Sequence, residues 1–320
     1  MNDEDKKGID GRAVSVGKVL ETDLYVKRNI FRSLRQSSAM NQISMLNTKG
    51  LSAADDTDIL CIERGNLKLF FENFSALPSG LRTTTHRLLD AMLIRFTESG
   101  AKNPEISLSL EEYMELCGLK NQQETRQQIN SDIKTLKHMY VDFRQSSGRE
   151  CSMQHVCICT DMKIKNSIIY LTLSPEFFRV MKTMPVMPYP EELFRINLKQ
   201  NPNSYYFLKK IAEHKKMNYF KKNADIISVQ TLLQCTPELP DYNTVIHTDR
   251  AVDRRIIRPF ERDMDLFSDF DILQWQYCHT NGLILTEEEV NNLNYHIFYR
   301  LLVKIHWKNY PEQQKKGRTK

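Results

Sequence analysis

Residues 248–264 read TDRAVDRRIIRPFERDM, and their charged and apolar members separate at helical spacing. At about 100° per residue, with Arg250 at zero, Arg254, Arg255, Arg258 and Arg262 fall within roughly 140° of arc. Val252, Ile256, Ile257, Phe260 and Met264 take the opposite arc. A helix running from near Thr244 to near Phe267 would bury one side and hold five guanidinium groups on the other. Arginine pairs bidentately with guanine edges and clamps phosphates, so such a face suits duplex DNA. Asp249, Asp253 and Glu261 offset part of this charge. Pro259 lacks an N–H and predicts a kink or a break at that point.

The residues around this helix describe a unit. Before it come a helix over Ser204–Met217, with Tyr206, Phe207, Leu208 and Ile211 on its apolar stripe, and a short helix over Val229–Cys235. The loop TPELPDYN leads into the long helix. After it come extended segments at Ile272–His279 and Leu283–Leu285 flanking a Thr-Asn-Gly turn. Thr286 with Glu289 caps a further helix, and Leu302–Trp307 reads as a closing strand.

The same order occurs earlier in the chain. Arg82–Thr97 is a helix with Leu88, Leu89, Met92, Leu93 and Phe96 inward, and the strand ISLSL follows. A short helix is capped by Ser109 with Glu112 and ended by Gly118. Asn121 opens a longer helix reaching about Tyr140, and extended segments at Met139–Gln145, Met153–Thr160 and Ser167–Leu173 follow, with SSGRE and DMKIKN as turns. On that longer helix Arg126, Asn130, Lys134 and Lys137 share a sector of roughly 80°, while Ile129, Ile133, Leu136 and Tyr140 face inward. Asparagine suits bidentate contact with adenine and lysine suits phosphate. Helix, short helix, longer helix and hairpin is the order of a winged helix-turn-helix, and it appears twice. The expectation is an α+β chain of two tandem winged-helix domains (helix-turn-helix plus β-wing) with a polar N-terminal arm.

The domain limits expected are a polar arm and linker over 1–58, a first winged helix over 59–180, a connector over 181–202, a second winged helix over 203–310 and a basic tail over 311–320. The arm ends in NTKGLSAADDTD and includes a basic amphipathic stretch, Leu24–Arg35. Strands are expected at Ile59–Ile62 and Leu67–Phe71, and the connecting stretch carries Pro185, Pro188 and Pro190.

Composition narrows the function. Of 320 residues, 41% are hydrophobic and 27% charged, which suits a core-forming protein, and the net charge of +5 is mildly basic. No apolar run approaches the ~20 residues that span a bilayer, and the start MNDEDKKGID has no secretion pattern, so a cytoplasmic location is expected. GRAVSVGK at 11–18 misses the phosphate-binding loop in glycine spacing, in its Val19 and in lacking a preceding strand. Cys151, His155, Cys157 and Cys159 would share one strand face, but no second ligand pair accompanies them, so they are expected to pack inward and no metal is expected. There is no His-x-His for rolling-circle nuclease chemistry, and acidic runs such as Glu287–Glu288–Glu289 sit at helix starts where the dipole favours them. No cofactor and no catalytic constellation is expected.

From Asn203 to Gly282 the chain resembles the C-terminal domain of iteron-binding plasmid replication initiators. The resemblance rests on SYYFLKKIAEH, ISVQTLLQC, TDRAVDRRIIRPFERDM with its internal Pro259, and WQYCH. The copy from about Arg82 to Leu173 resembles the matching N-terminal domain. The resemblance implies binding of directly repeated double-stranded sites at an origin, duplex opening, recruitment of host replication proteins and a possible homodimer off DNA. It makes Arg250, Arg254, Arg255 and Arg258 the main readers, with Arg126, Asn130, Lys134 and Lys137 serving the second groove segment. The same modules would also serve a transcriptional regulator without a replication role, or a protein-interaction module.

Overall fold

The computed structural model describes residues 31–312 except 47, 49–50, 55–56, 65–66, 78–79, 144–152, 241, 249–250, 292 and 294. The segment GRAVSVGK, Cys151, the SSGRE turn, Arg250 and residues 313–320 lie outside the described residues. The first described element is the strand β1 (Phe31–Arg35), followed by a buried 3-10 turn over Ile43–Met45. Phe31, Leu34, Met40, Ile43 and Met45 are buried. Residues 31–46, expected as part of a polar arm, therefore belong to the core. FRSLR alternates too briefly to announce a strand, and its pairing partner lies far along the chain.

A hairpin of β2 (Leu60–Arg64) and β3 (Leu67–Phe71) precedes the first helical unit. That unit comprises α1 (Thr83–Glu98), β4 (Glu105–Ser109), α2 (Leu110–Cys117) and α3 (Gln122–Lys137). Then come β5 (Met139–Phe143), β6 (Met153–Cys157), β7 (Cys159–Lys165) and β8 (Ile168–Leu173). The Ser109 hydroxyl accepts from the Glu112 N–H at 3.0 Å, and Gly118, at φ +63°, closes α2 in the left-handed conformation that glycine adopts at least cost. The Asn121 side chain accepts from the N–H groups of Gln123 and Glu124, which starts α3. The helix stops at Lys137, earlier than expected, and Tyr140 joins β5.

Two of the expected extended segments divide differently. DMKIKN, read as a turn, is mostly strand β7: Met162 is buried against its partner, and the real turn is the pair Asn166–Ser167, both at positive φ. Met153–Thr160 breaks at buried Ile158 into β6 and β7, which join different sheets. The expected single inward face of His155, Cys157 and Cys159 is lost with that break. Cys159 is buried, whereas His155 is exposed and stacks on Tyr140 at 4.5 Å between centroids.

The stretch expected to connect the copies is structured. It forms α4 (Pro175–Thr183) and β9 (Val186–Pro190), whose residues are all buried. β9 pairs antiparallel with β1, Phe31 opposite Pro190 and Arg35 opposite Val186. Prolines are tolerated there because the ribbon has two strands, so each has an edge that needs no donor.

The second unit comprises α5 (Ser204–Asn218), β10 (Ile226–Ser228), α6 (Val229–Cys235) and α7 (Tyr242–Thr248). A π-helical turn over Asp253–Ile257 leads into α8 (Arg258–Asp269). β11 (Leu273–Cys278), α9 (Glu287–Asn291), α10 (Tyr295–Phe298) and β12 (Leu302–Trp307) complete it. Leu283–Leu285 is not a full strand but touches β11 through one bridge, Cys278 to Ile284. The expected turn is present: the Gly282 N–H donates to the His279 carbonyl. Thr286 and Glu289 cap α9 reciprocally.

The two units share one topology. In the first, the three-stranded sheet runs β4-β8-β7; in the second it runs β10-β12-β11. In each, the strand before the second helix lies at an edge, and the last strand lies in the middle. Ser109 and Ser228 end those edge strands and cap the helices that follow. The Leu110 N–H donates to the Ser167 carbonyl at 2.8 Å, and the Val229 N–H donates to the Leu301 carbonyl at 3.0 Å. Both modules thus enter their second helix beside the start of the final strand, and both are winged helices. The first carries an additional four-stranded sheet, β2-β3-β5-β6.

The modules meet through their first helices, α1 and α5, with β9 alongside. Asp90 of α1 accepts from Lys209 Nζ of α5 at 2.6 Å, from the Tyr205 hydroxyl at 2.7 Å and from the Tyr189 hydroxyl of β9 at 3.0 Å. Asp90 and Lys209 are each 7% exposed. A continuous apolar core runs across the junction, including Leu88, Met92 and Phe96 on one side and Phe207, Leu208 and Ile211 on the other.

Candidate nucleic-acid interface

The third helix of the first module, α3, buries Thr125, Ile129, Asp132, Ile133, Thr135 and Leu136. Its outer face presents Gln123, Gln127, Gln128, Asn130, Lys134 and Lys137 to solvent. Arg126 is half-buried, and its Nη2 donates to Ser167 Oγ at 2.7 Å, which ties the helix to the tip of the β7–β8 wing. Lys137 lies 3.3 Å from Asp161, a carboxylate that also holds Lys163 at 2.5 Å. Asn130 and Lys134 are open. The exposed glutamines were not singled out from sequence. Their signal was the amide run NQQETRQQ at the helix start, where Asn and Gln can pair with adenine edges.

In the second module the inward face forms as read: Val252, Ile256, Ile257, Phe260 and Met264 are all buried. The helix itself is not one regular rod. Pro259 offers no N–H, and the turn before it widens, with the Arg258 N–H donating to the Asp253 carbonyl five residues back. A wheel at 100° per residue does not hold through such a turn, so the arginine row is spread rather than aligned. Arg254 and Arg255 are exposed on the π turn. Arg258 is 74% exposed, with its Nε 2.6 Å from Asp253. Arg262 is 51% exposed but is held by its neighbour, Nε and Nη2 both on Asp263 Oδ1 at 2.8 and 2.7 Å.

Each of these helices also carries a buried aspartate that sequence reading passed over. Asp132 Oδ1 accepts from the hydroxyls of Thr85 at 2.7 Å and Thr84 at 3.1 Å, at the start of α1. Asp263 Oδ2 accepts from the Asn203 backbone and side chain, each at 2.8 Å, at the start of α5. The motif is the same in both modules: α3 in the first, and α8, the last part of the divided long helix, in the second, is braced onto the N-terminus of its module's first helix. Burial pushes the Asp132 carboxyl up to about 6, against the lowering effect of its hydroxyl and amide donors.

Fold and surface together define a tandem winged-helix protein whose third helices expose cations and amides. Residues 72–184, within the first module, match the family model of the initiator replication protein WH1 domain. No curated protein matches the chain. Among solved structures the chain is similar to the Pi initiator protein in complex with iteron DNA, at 10% identity and a TM-score of 0.49, covering 89% of this chain and 100% of that one. It is also similar to domains 2 and 3 of RctB, at 13% identity and a TM-score of 0.43, covering 80% of this chain and 93% of that one.

Proposed function

We propose that the chain is a replication initiator of a plasmid or similar mobile element, binding repeated double-stranded sites at an origin with both modules at once. The observation that carries this is the repetition. Two winged helices of one topology each present a third helix with exposed cations or amides, and the first module matches the WH1 domain of initiators. Asn130, Lys134 and Lys137 on α3, and Arg254, Arg255 and Arg258 before and at the start of α8, serve as the base and phosphate contacts. Arg250 is assigned with them from sequence. Arg126, tied to the wing through Ser167, and Arg262, paired with its neighbour Asp263, contact the backbone at the margin of the site.

Two helices on one chain would occupy successive major grooves about one helical turn apart, giving a site near 20 base pairs. Phosphate neutralisation supplies much of the affinity and makes it fall steeply with salt, while arginine and amide contacts select sequence. Tethering raises specificity because the second module binds at high effective concentration once the first is placed. Bending of neighbouring A·T-rich DNA is inexpensive and would promote opening, after which host replication proteins would be recruited. A homodimer off DNA belongs to the same reading, as does a non-enzymatic, cytoplasmic role. Among the described residues no helix is long and apolar enough to cross a membrane.

The test is replication in cells of an origin-only plasmid carrying the DNA that flanks the gene, with the protein supplied separately. Replication that depends on the chain and on tandem repeats supports the proposal. Tight, salt-sensitive binding to repeats without replication would replace it with a transcriptional regulator.

A further inference from the structure

The polar ties described above connect end to end. Asp132 on α3 is bonded to Thr84 and Thr85 at the start of α1. The adjoining Thr83 hydroxyl meets the Tyr206 hydroxyl of α5 at 2.9 Å, both groups buried. Asn203 and Ser204, at the start of α5, are bonded to Asp263 on α8. The starts of the two first helices therefore abut, and each carries the brace of its own third helix. One to two turns further along, Asp90 and Lys209 tie the same two helices again, with Tyr205 and Tyr189 filling the remaining acceptor positions. Arg87 adds a bond across the junction to the Ile196 carbonyl at 2.6 Å.

We propose that this line of buried contacts, from Asp132 through Thr83–Tyr206 and Asp90–Lys209 to Asp263, fixes the separation and phase of the two duplex-facing helices and so sets the spacing of half-sites that the protein accepts. The inference rests on the duplex-binding reading given above. A linker of ordinary composition would let the modules reorient, and the site would then tolerate changes in spacing. Here reorientation would separate a carboxylate and an ammonium group that are both buried, which is far costlier than separating an exposed pair. Hydrogen-bonded polar groups at an interface also accept one geometry, where apolar groups accept many. Asp90 and Lys209 bond to each other and Asp90 to the two tyrosine hydroxyls, and with each only 7% exposed little solvent can replace the pair when it opens, although buried Glu213 and His86 lie within electrostatic reach.

These are positioning residues, and a merely stabilising role would change melting without changing spacing preference. The experiment begins with the full chain and a pool of random duplexes, from which wild type selects its site and footprinting marks two half-sites. One base pair is then inserted between them, and affinities are measured for wild type, the double variant Asp90→Asn with Lys209→Met, and Tyr206→Phe. The double variant replaces the ion pair by groups of similar shape, and Tyr206→Phe removes one hydroxyl, so a folded protein is obtained from at least the latter. Wild type should lose roughly tenfold or more on insertion, the scale of one or more mismatched base pairs. Each folded variant should lose clearly less, with the double variant within about threefold of its own starting affinity. An insertion penalty in the folded variants equal to that of wild type overturns the proposal while leaving duplex binding intact. If wild type selects no duplex at all, the functional reading fails, and this inference with it.

Discussion

Replacing Asp132 by asparagine isolates the cost of holding a charge inside the first module. Asp132 is fully buried; Oδ1 takes bonds from Thr84, Thr85 and Gln128, while Oδ2 has no hydrogen-bond partner among the described residues. Its carboxyl is pushed from 3.8 to about 6, chiefly by desolvation. An acid raised in the folded state makes the protonated form the stabilised one. That contribution is fully present below the unfolded value near 3.8 and is lost as pH rises through about 6. At about 1.4 kcal/mol per unit, ionisation costs the native state about 3 kcal/mol by pH 8 and less than about 1 kcal/mol at pH 4. Asparagine keeps an acceptor for the two threonine hydroxyls and carries no charge. The stability of Asp132→Asn relative to wild type should therefore rise by about 2 kcal/mol between pH 4 and pH 8. Urea unfolding of both proteins at several pH values measures this, since groups common to both cancel in the difference. A difference that stays constant across the range refutes the reasoning.

Other substitutions probe the interface, the repeat and the junction. Arg254→Ala and Arg258→Ala should each weaken specific duplex binding by about 1–3 kcal/mol with an unchanged circular dichroism spectrum, and full affinity in both would remove that segment from the interface. Ser109→Ala and Ser228→Ala remove equivalent caps in separate modules. Each should cost about 1 kcal/mol, the two adding in the double variant, and thermal unfolding would reveal any departure from additivity. His86 is buried against Tyr205 with its Nε2 2.7 Å from the Leu46 carbonyl, and burial pushes it down to about 4. A depressed base contributes stability that is present above its unfolded value of 6.5 and lost as pH falls through about 4, a loss of about 3 kcal/mol. His86→Gln should lose less stability than wild type between pH 7 and pH 4; an equal loss would show that acid unfolding is governed elsewhere.

The helical units were legible because their signals are local. Val229–Cys235 and Leu302–Trp307 form with the limits read from sequence, and the caps at Ser109, Asn121 and Thr286 stand where turn chemistry puts them. Pro259 announced an irregularity, though not that the chain would answer it with a wider turn rather than a kink. What escaped depends on distant partners. Three residues, IIS, are too few to show alternation, and β10 exists because β12 pairs with it. The strand β7 was mistaken for a turn because its lysines and aspartate alternate with few apolar residues, and its order comes from β8. At the interface periodicity gave the exposed face of α3 and the buried face of the second module, but not the spread of the arginines across the π turn. Nor did it give the braces, because Asp132 meets hydroxyls 47 and 48 residues away and Asp263 meets an asparagine 60 residues away.

The ribbon of β1 and β9 imposes an order of events on a growing chain. Arg35 donates to the Met184 carbonyl across 149 residues, and Phe31 rests on Trp307 and Tyr310, which follow both modules in the chain. Such long-range closure is slow because the loop must be shut before the contact rewards it. Residues 31–35 therefore wait, through synthesis of the first module, with nothing to pair against. The seam can close only once β9 is made, and a ribosome that stops before residue 186 releases a protein with an open strand edge and an uncovered phenylalanine, the hallmarks of a chain that sticks to its neighbours.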